Sequence, residues 1–148
     1  MSLKKGLMIA TVGVLALAIL IVRLYVGIPF VPPSGREVVA RLSGLPIPMF
    51  ARSLDAVSEC SGSFCMDYYG RGLIQLSPAP CGKAIAAAKM QGWLSLPIPG
   101  DLNVIQETGA PSTPNKGYFR FEQRRPEEHM FAWIDIATCR VYAELDMT

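Results

Sequence analysis

The chain contains one histidine, His129, and it lacks the short motifs on which common enzyme active sites are built. It has no Gly-x-Ser-x-Gly nucleophile elbow, no His-Glu-x-x-His zinc helix, no phosphate-binding glycine loop and no dinucleotide-binding fingerprint. His129 follows a charged loop at the start of a predicted strand, where a solvated or capping role is commoner than catalysis. These absences predict a protein that is not an enzyme and that has no catalytic residue and no cofactor.

Charged residues are also scarce, at 18% of the chain, and the two signs nearly balance beyond the N-terminal segment. From Pro29 onward there are eleven Lys and Arg residues against twelve Asp and Glu residues, which gives a formal net charge of −1. Nucleic-acid binders and polybasic lipid sensors concentrate positive charge on one surface. The sequence therefore predicts no nucleic-acid partner.

The N-terminal segment has the length and composition of a membrane span. Residues 6–22 form seventeen consecutive uncharged positions, built mainly from Leu, Ile, Val, Ala and Met. As a helix, this run spans roughly 26 Å, and the residues up to Phe30 extend it to the hydrocarbon thickness of about 30 Å. The sequence predicts a signal-anchor transmembrane helix over residues 1–30, in contact with the lipid bilayer over residues 6–28.

The residues that follow this run suit an anchor that is retained. The Arg23 side chain can reach the membrane–water interface, and the amphipathic ring of Tyr25 is typical of that interface. A cleaved signal peptide would need a small-x-small exit, which the stretch after Val22 lacks. Retention is therefore predicted, and cleavage at a poor site is the alternative.

Cysteine content predicts the side of the membrane on which the rest of the chain lies. Basic residues occur on both sides of the apolar run, so charge alone gives little orientation signal. Four cysteines in one small domain are more typical of an oxidising compartment than of a reducing one. We expect a single-pass protein of the cytoplasmic (inner) membrane whose C-terminal domain is extracytoplasmic, in the periplasm or an equivalent space.

The spacing of the cysteines disfavours a metal site. Zinc sites usually combine two close ligand pairs, and iron–sulfur and redox motifs need spacings that are absent here. Only Cys60 and Cys65 are close in sequence. Two disulfide bonds are predicted, and of the three possible pairings we prefer Cys60–Cys65 with Cys81–Cys139.

Residues 34–148 are predicted to form one α+β domain behind a Pro-rich neck at residues 31–33, because this length is typical of a single domain. Apolar and polar residues alternate along the last third, which predicts an antiparallel sheet. Gly70 and Gly72 suggest a bulge or bend within it. The predicted strands cover Tyr118–Gln123, Met130–Ile136 and Val141–Leu145, with two more over Ser53–Cys60 and Cys65–Leu76.

Two short helices are expected on one face of this sheet. Ser34 and Glu37 form the Ser-x-x-Glu pattern of a capping box, and the first helix should extend to about Ser43, before a left-handed Gly44. The second helix is predicted over Pro80–Gln91. Both helices are followed by Leu-Pro-Ile-Pro, which hints at a duplication, although chance recurrence is the simpler interpretation.

Aromatic residues suggest where a partner binds. Tyr68 and Tyr69 are adjacent, so in a strand one of them faces away from the core. Phe131 and Trp133 share the sheet face opposite the aliphatic stripe. These four residues are the predicted partner-binding residues, although a segment that covers Phe131 and Trp133 would explain the pattern equally well.

Together these features predict a single N-terminal transmembrane helix followed by a small α+β domain with an antiparallel sheet and two short helices. The favoured function is that of a small accessory or structural subunit of a larger membrane protein complex, held by protein–protein interaction through its helix and its extramembrane domain. A membrane-anchored periplasmic inhibitor or immunity-type binding protein is the alternative. A small enzyme is the third hypothesis.

Overall fold

The computed structural model describes residues 13–15, 17–19, 33–61, 67–100, 109–125 and 128–147. The chain divides into two compact units, Met1–Pro32 and Pro33–Thr148. Within the first unit, the described residues are helical. No helix among the described ranges is long and apolar enough to cross a membrane. Most of the predicted anchor, including Arg23 and Tyr25, lies outside the described residues.

The second unit is an α+β domain, as predicted, and its described strands form one antiparallel sheet. The strand order is β1-β2-β6-β5-β4-β3, so the last strand lies in the middle, between the β1–β2 hairpin and β5. The very short β3 was not predicted. The elements are α1 (Gly35–Ser43), β1 (Arg52–Ser61), β2 (Asp67–Gln75), α2 (Pro78–Met90), β3 (Leu94–Ser95), β4 (Gly117–Arg125), β5 (Glu128–Asp135) and β6 (Arg140–Met147).

Helix α1 begins and ends where its sequence predicts. The Ser34 hydroxyl accepts the backbone N–H of Glu37 at 3.3 Å, and the Glu37 carboxylate accepts the backbone N–H of Ser34 at 2.7 Å. This capping box satisfies two amide groups of the first turn. Gly44, with φ of 65°, provides the left-handed end. Val39, which is fully buried, packs against the sheet.

Helix α2 begins two residues earlier than predicted. Pro78 and Pro80 both lie in its first turn. Backbone N–H groups in the first turn have no intrahelical acceptor, so proline costs the helix no hydrogen bond there. The helix ends at Met90. The side-chain amide of Gln91 then donates to the Gly44 carbonyl at 2.9 Å, which links the C-terminal ends of the two helices.

The predicted bulge at Gly70 and Gly72 is wrong, because the β1–β2 register runs unbroken past both glycines and shifts instead next to Leu54. Gly72 lies where α1 crosses the sheet. A Cβ atom at that position would come within 2.5 Å of the Gly35 carbonyl oxygen. The glycine therefore permits the close approach of α1 to β2.

The sheet buries side chains on both of its faces. The face under α1 and α2, which we call the helix face, carries the aliphatic residues Ile74, Met130, Ala132, Ile134, Val141 and Ala143. The opposite face, which we call the aromatic face, carries Phe119, Phe131, Trp133 and Tyr142. Leu96, Ile98 and Ala110, from the chain between β3 and β4, pack against the aromatic face.

A disulfide bond joins α2 to the turn between β5 and β6. It links Cys81 and Cys139, whose Cα atoms are 5.6 Å apart, and this pairing was predicted. The backbone of Cys60 lies in β1, but its side chain and all of Cys65 lie outside the described residues, so the second disulfide stays a prediction. Strand β5 ends one residue before the predicted Ile136, which is exposed in the turn.

Candidate functional site

A cavity of about 270 Å³ opens on the helix face and is the first candidate site. It lies between the C-terminal end of α1 and strands β4, β5 and β6, where α1 has ended and leaves part of the sheet uncovered. We call it the groove. Its lining comprises Arg41, Leu42, Gly44, Arg120, Glu122, Glu128, His129, Met130, Leu145 and Met147.

The groove combines an apolar floor with a charged rim. The alternation of β4 places Arg120 and Glu122 on the helix face, where they form an ion pair. Glu128 forms another, at 3.4 Å, with Arg125. Arg41 is exposed and forms no ion pair with any described residue. The rim therefore offers one cation with no acidic partner among the described residues.

A buried polar cluster on the aromatic face is the second candidate site. Its centre is Glu144, which is 0% exposed. The Tyr142 hydroxyl donates to one Glu144 carboxylate oxygen at 2.5 Å, and Nε2 of His129 lies 3.9 Å from the other. Arg71 lies directly opposite Glu144 in the β2–β6 register. We call these four residues the polar cluster.

Electrostatics within the polar cluster favour a neutral tyrosine and a charged arginine. Burial, together with the hydrogen bond to Glu144, raises the pKa of Tyr142. Burial alone would lower the pKa of Arg71, but a hydrogen bond to Tyr69 and the charge of Asp55, 3.5 Å away, raise it. Because Glu144 is fully enclosed, we interpret the cluster as a structural element of the sheet and not as a substrate site.

Of the two roles predicted for His129, solvation is wrong, since the residue is only 8% exposed. Its ring lies 6.4 Å from the ring of Phe121, and its Nε2 has no hydrogen-bond partner among the described residues. The signal that could have located it is strand alternation, which places His129 on the same face as Phe131 and Trp133.

The four aromatic residues predicted to bind a partner differ in how far they are buried. Phe131 and Trp133 are buried, at 0% and 3% exposure, so they build the core of the aromatic face and present no surface to a partner. Trp133 stacks on Tyr142 with ring centroids 5.5 Å apart. Tyr68 and Tyr69 are half-buried and lie on opposite faces of β2.

No protein-family model, curated protein or solved structure matches this chain. Within the described part of the chain, no group of three or more His, Cys, Asp or Glu side chains is placed to hold a metal ion. Among the described residues, the groove has the geometry of a binding site.

Replacing Tyr142 with phenylalanine should lower the free energy of unfolding by about 2 kcal/mol at pH 7, because the buried Glu144 carboxylate loses a charge-assisted hydrogen bond. The folded-state pKa of Tyr142 is raised above the ordinary value of 10.0, so the folded protein keeps this proton while the unfolded chain loses it at higher pH. The stability that the hydroxyl contributes is therefore complete below about pH 10 and declines above it, by about 1.4 kcal/mol per pH unit.

Urea unfolding of both proteins in detergent at pH 7, 9 and 10.5, followed by tryptophan fluorescence, measures this difference. We expect equal differences at pH 7 and 9 and a difference smaller by about 0.8 kcal/mol at pH 10.5. A difference that grows with pH would contradict the assignment of Tyr142 as a neutral donor.

Proposed function

We propose that this chain is a non-enzymatic, single-pass membrane protein that acts as a small accessory subunit of a larger membrane protein complex, with its α+β domain on the extracytoplasmic side. The observation that carries the proposal is the groove, an open, apolar-floored cavity with the cation Arg41 at its rim. The uncharged run at residues 6–22 supports membrane attachment.

The size of the groove favours a protein segment over a cofactor. Small-molecule sites occupy about 300–1,000 Å³ and bury most of their ligand. The groove, at about 270 Å³, is at the small end of that range and is open to solvent, so it would leave much of a drug-sized ligand exposed. It has room for an apolar side chain that a partner inserts while the rest of the partner stays outside.

The composition of the groove indicates which side chains would fit. Two leucines and two methionines form the floor, and methionine adapts readily to the shape of an inserted apolar group. Arg41 at the rim would attract an acidic group beside that side chain. The preferred partner segment therefore carries a large apolar residue next to an Asp, a Glu or a terminal carboxylate.

Charge reversal at the rim tests the groove. We expect Arg41→Glu to reduce the amount of copurified partner about tenfold after gentle detergent extraction, because the acidic partner group would then meet a like charge. Lys83→Glu, on the exposed surface of α2 and outside the groove lining, is the matched control and should not change recovery. Quantitative mass spectrometry of the extracted complexes identifies and measures the partner. Equal recovery of the partner with both variants would show that the groove does not bind it.

The same assay separates a subunit from a membrane-anchored inhibitor or immunity-type protein. A subunit should lose partner when residues 6–22 are replaced by an unrelated apolar span, because helix association in lipid depends on close packing of small residues such as Gly13 and Ala18. An inhibitor needs only a tether, so its partner recovery should be unchanged by this replacement and should fall only with Arg41→Glu.

A further inference from the structure

The turn between α1 and β1 exposes two adjacent large apolar side chains. Phe50 is 94% exposed and Met49 is 54% exposed. The turn is a defined structure, because the Ala51 N–H donates to the Pro48 carbonyl at 3.1 Å. Single exposed apolar residues are common on protein surfaces, but an almost fully exposed Phe beside a Met at the tip of a turn forms a small apolar projection. We call it the Met49–Phe50 turn.

The Met49–Phe50 turn lies close to the point at which the chain enters the domain, at the N-terminal end of α1. Nε of Arg36, in the first turn of α1, donates to the Pro48 carbonyl at 3.2 Å. This hydrogen bond holds the Met49–Phe50 turn beside the N-terminal end of the helix. Arg36 follows Phe30, the end of the predicted anchor, by six residues. A fully extended chain of that length reaches only about 20 Å.

Cationic side chains flank the apolar projection. Arg36 lies next to it through the hydrogen bond to Pro48, and the exposed Arg52 follows it at the start of β1. The nearest acidic group of α1, Glu37, is engaged by the Ser34 N–H in the capping box. Apolar side chains that enter the acyl boundary, bordered by arginines at the level of the lipid phosphates, are typical of interfacial membrane contacts.

We infer that the Met49–Phe50 turn inserts into the surface of the lipid bilayer that anchors the chain, and so provides the domain with a second membrane contact. The inference rests on the membrane attachment in the proposed function. A segment of this kind enters the headgroup and acyl boundary to a depth of about 5–10 Å. Because α1 is nine residues long, its C-terminal end, at which the groove opens, lies about 13 Å further along the helix. Insertion of the turn would therefore orient the groove away from the lipid.

Fluorescence quenching by brominated lipid tests the inference. The full chain carrying Phe50→Trp is reconstituted into vesicles of phosphatidylcholine and phosphatidylglycerol, with and without acyl-chain bromine, and the signal of the unaltered chain is subtracted. Its own Trp93 and Trp133 are 6% and 3% exposed and contribute a constant background. Met90→Trp is the matched control, since Met90 is 89% exposed but lies beside Gln91, which contacts the C-terminal end of α1.

We expect bromine to remove at least about half of the added Phe50→Trp fluorescence and little of the added Met90→Trp fluorescence. Retention of the unaltered chain in the vesicles after a carbonate wash tests the anchor separately. A retained chain with unquenched Phe50→Trp, or with equal quenching of both variants, would overturn the inference and leave the anchor intact. Loss of the unaltered chain in carbonate would overturn the anchor and, with it, the inference.

Discussion

Replacing Glu144 with alanine is expected to lower the free energy of unfolding by about 3–5 kcal/mol, the combined cost of a buried cavity and an unsatisfied buried hydroxyl. The carboxylate is fully buried, accepts a hydrogen bond from Tyr142 and lies opposite Arg71 across the β2–β6 pairing. Its removal leaves the Tyr142 hydroxyl in the interior without its acceptor and leaves a cavity in place of the side chain, whereas Arg71 keeps the neighbouring Asp55. Most single substitutions cost far less, so an effect of this size would identify the polar cluster as a main determinant of stability.

Urea unfolding in detergent measures the effect, and two further variants define its origin. Glu144→Gln keeps an acceptor for Tyr142 and should lose less stability than alanine. Glu59→Ala removes an exposed carboxylate from the edge strand β1 and should change the free energy of unfolding by no more than about 0.5 kcal/mol. If Glu144→Ala were as mild as Glu59→Ala, the cluster would not hold the sheet together.

Removing the Cys81–Cys139 disulfide by replacing both residues with alanine should destabilise the domain by about 4 kcal/mol. The bond joins residues 58 positions apart, and the chain-entropy model assigns about this value to a loop of that length. Domains of this size are stable by only about 5–15 kcal/mol in total. The variant should therefore unfold at a markedly lower urea concentration than the unaltered protein.

The predicted Cys60–Cys65 bond provides the comparison for this measurement. It would close a much shorter loop, and its removal should cost about half as much in the same model. Non-reducing mass spectrometry after alkylation first establishes which cysteines are bonded. An equal loss of stability in the two double variants would show that loop length does not set the effect of the Cys81–Cys139 bond.

Local features of this fold could be predicted from the sequence because short-range interactions determine them. The capping box at Ser34 and Glu37 and the left-handed Gly44 define α1 through contacts within a few residues. The strands of the C-terminal meander follow from alternation alone. The start of α2 was misplaced because a helix tolerates proline throughout its first turn, so Pro78 fits as well as Pro80.

The complete polar cluster could not be predicted, because Arg71 joins it through a pairing of distant strands. The groove could not be predicted either, because it depends on where α1 ends above β4, β5 and β6. Strand β6 pairs with β5 through a local turn. Its pairing with β2, by contrast, brings together residues that are far apart in sequence, such as Ile74 and Val141. No short-range pattern encodes that pairing, and only that pairing brings Arg71 opposite Glu144. Likewise, the chain that covers the aromatic face has no regular period, so no pattern in the sequence indicates that Phe131 and Trp133 are buried.

The central position of β6 also bears on how the domain reaches its folded state. The β1–β2 hairpin and the β4–β5 hairpin can each form from neighbouring residues, but the sheet becomes continuous only when β6 enters between β2 and β5. Pairings between residues so distant in sequence form slowly, and until they form, the facing strand edges stay open to wrong pairing. During synthesis, the β2 and β5 edges therefore lack their pairing strand until residues 140–147 have been synthesised. This order of events favours folding once β6 has been synthesised over folding in stages.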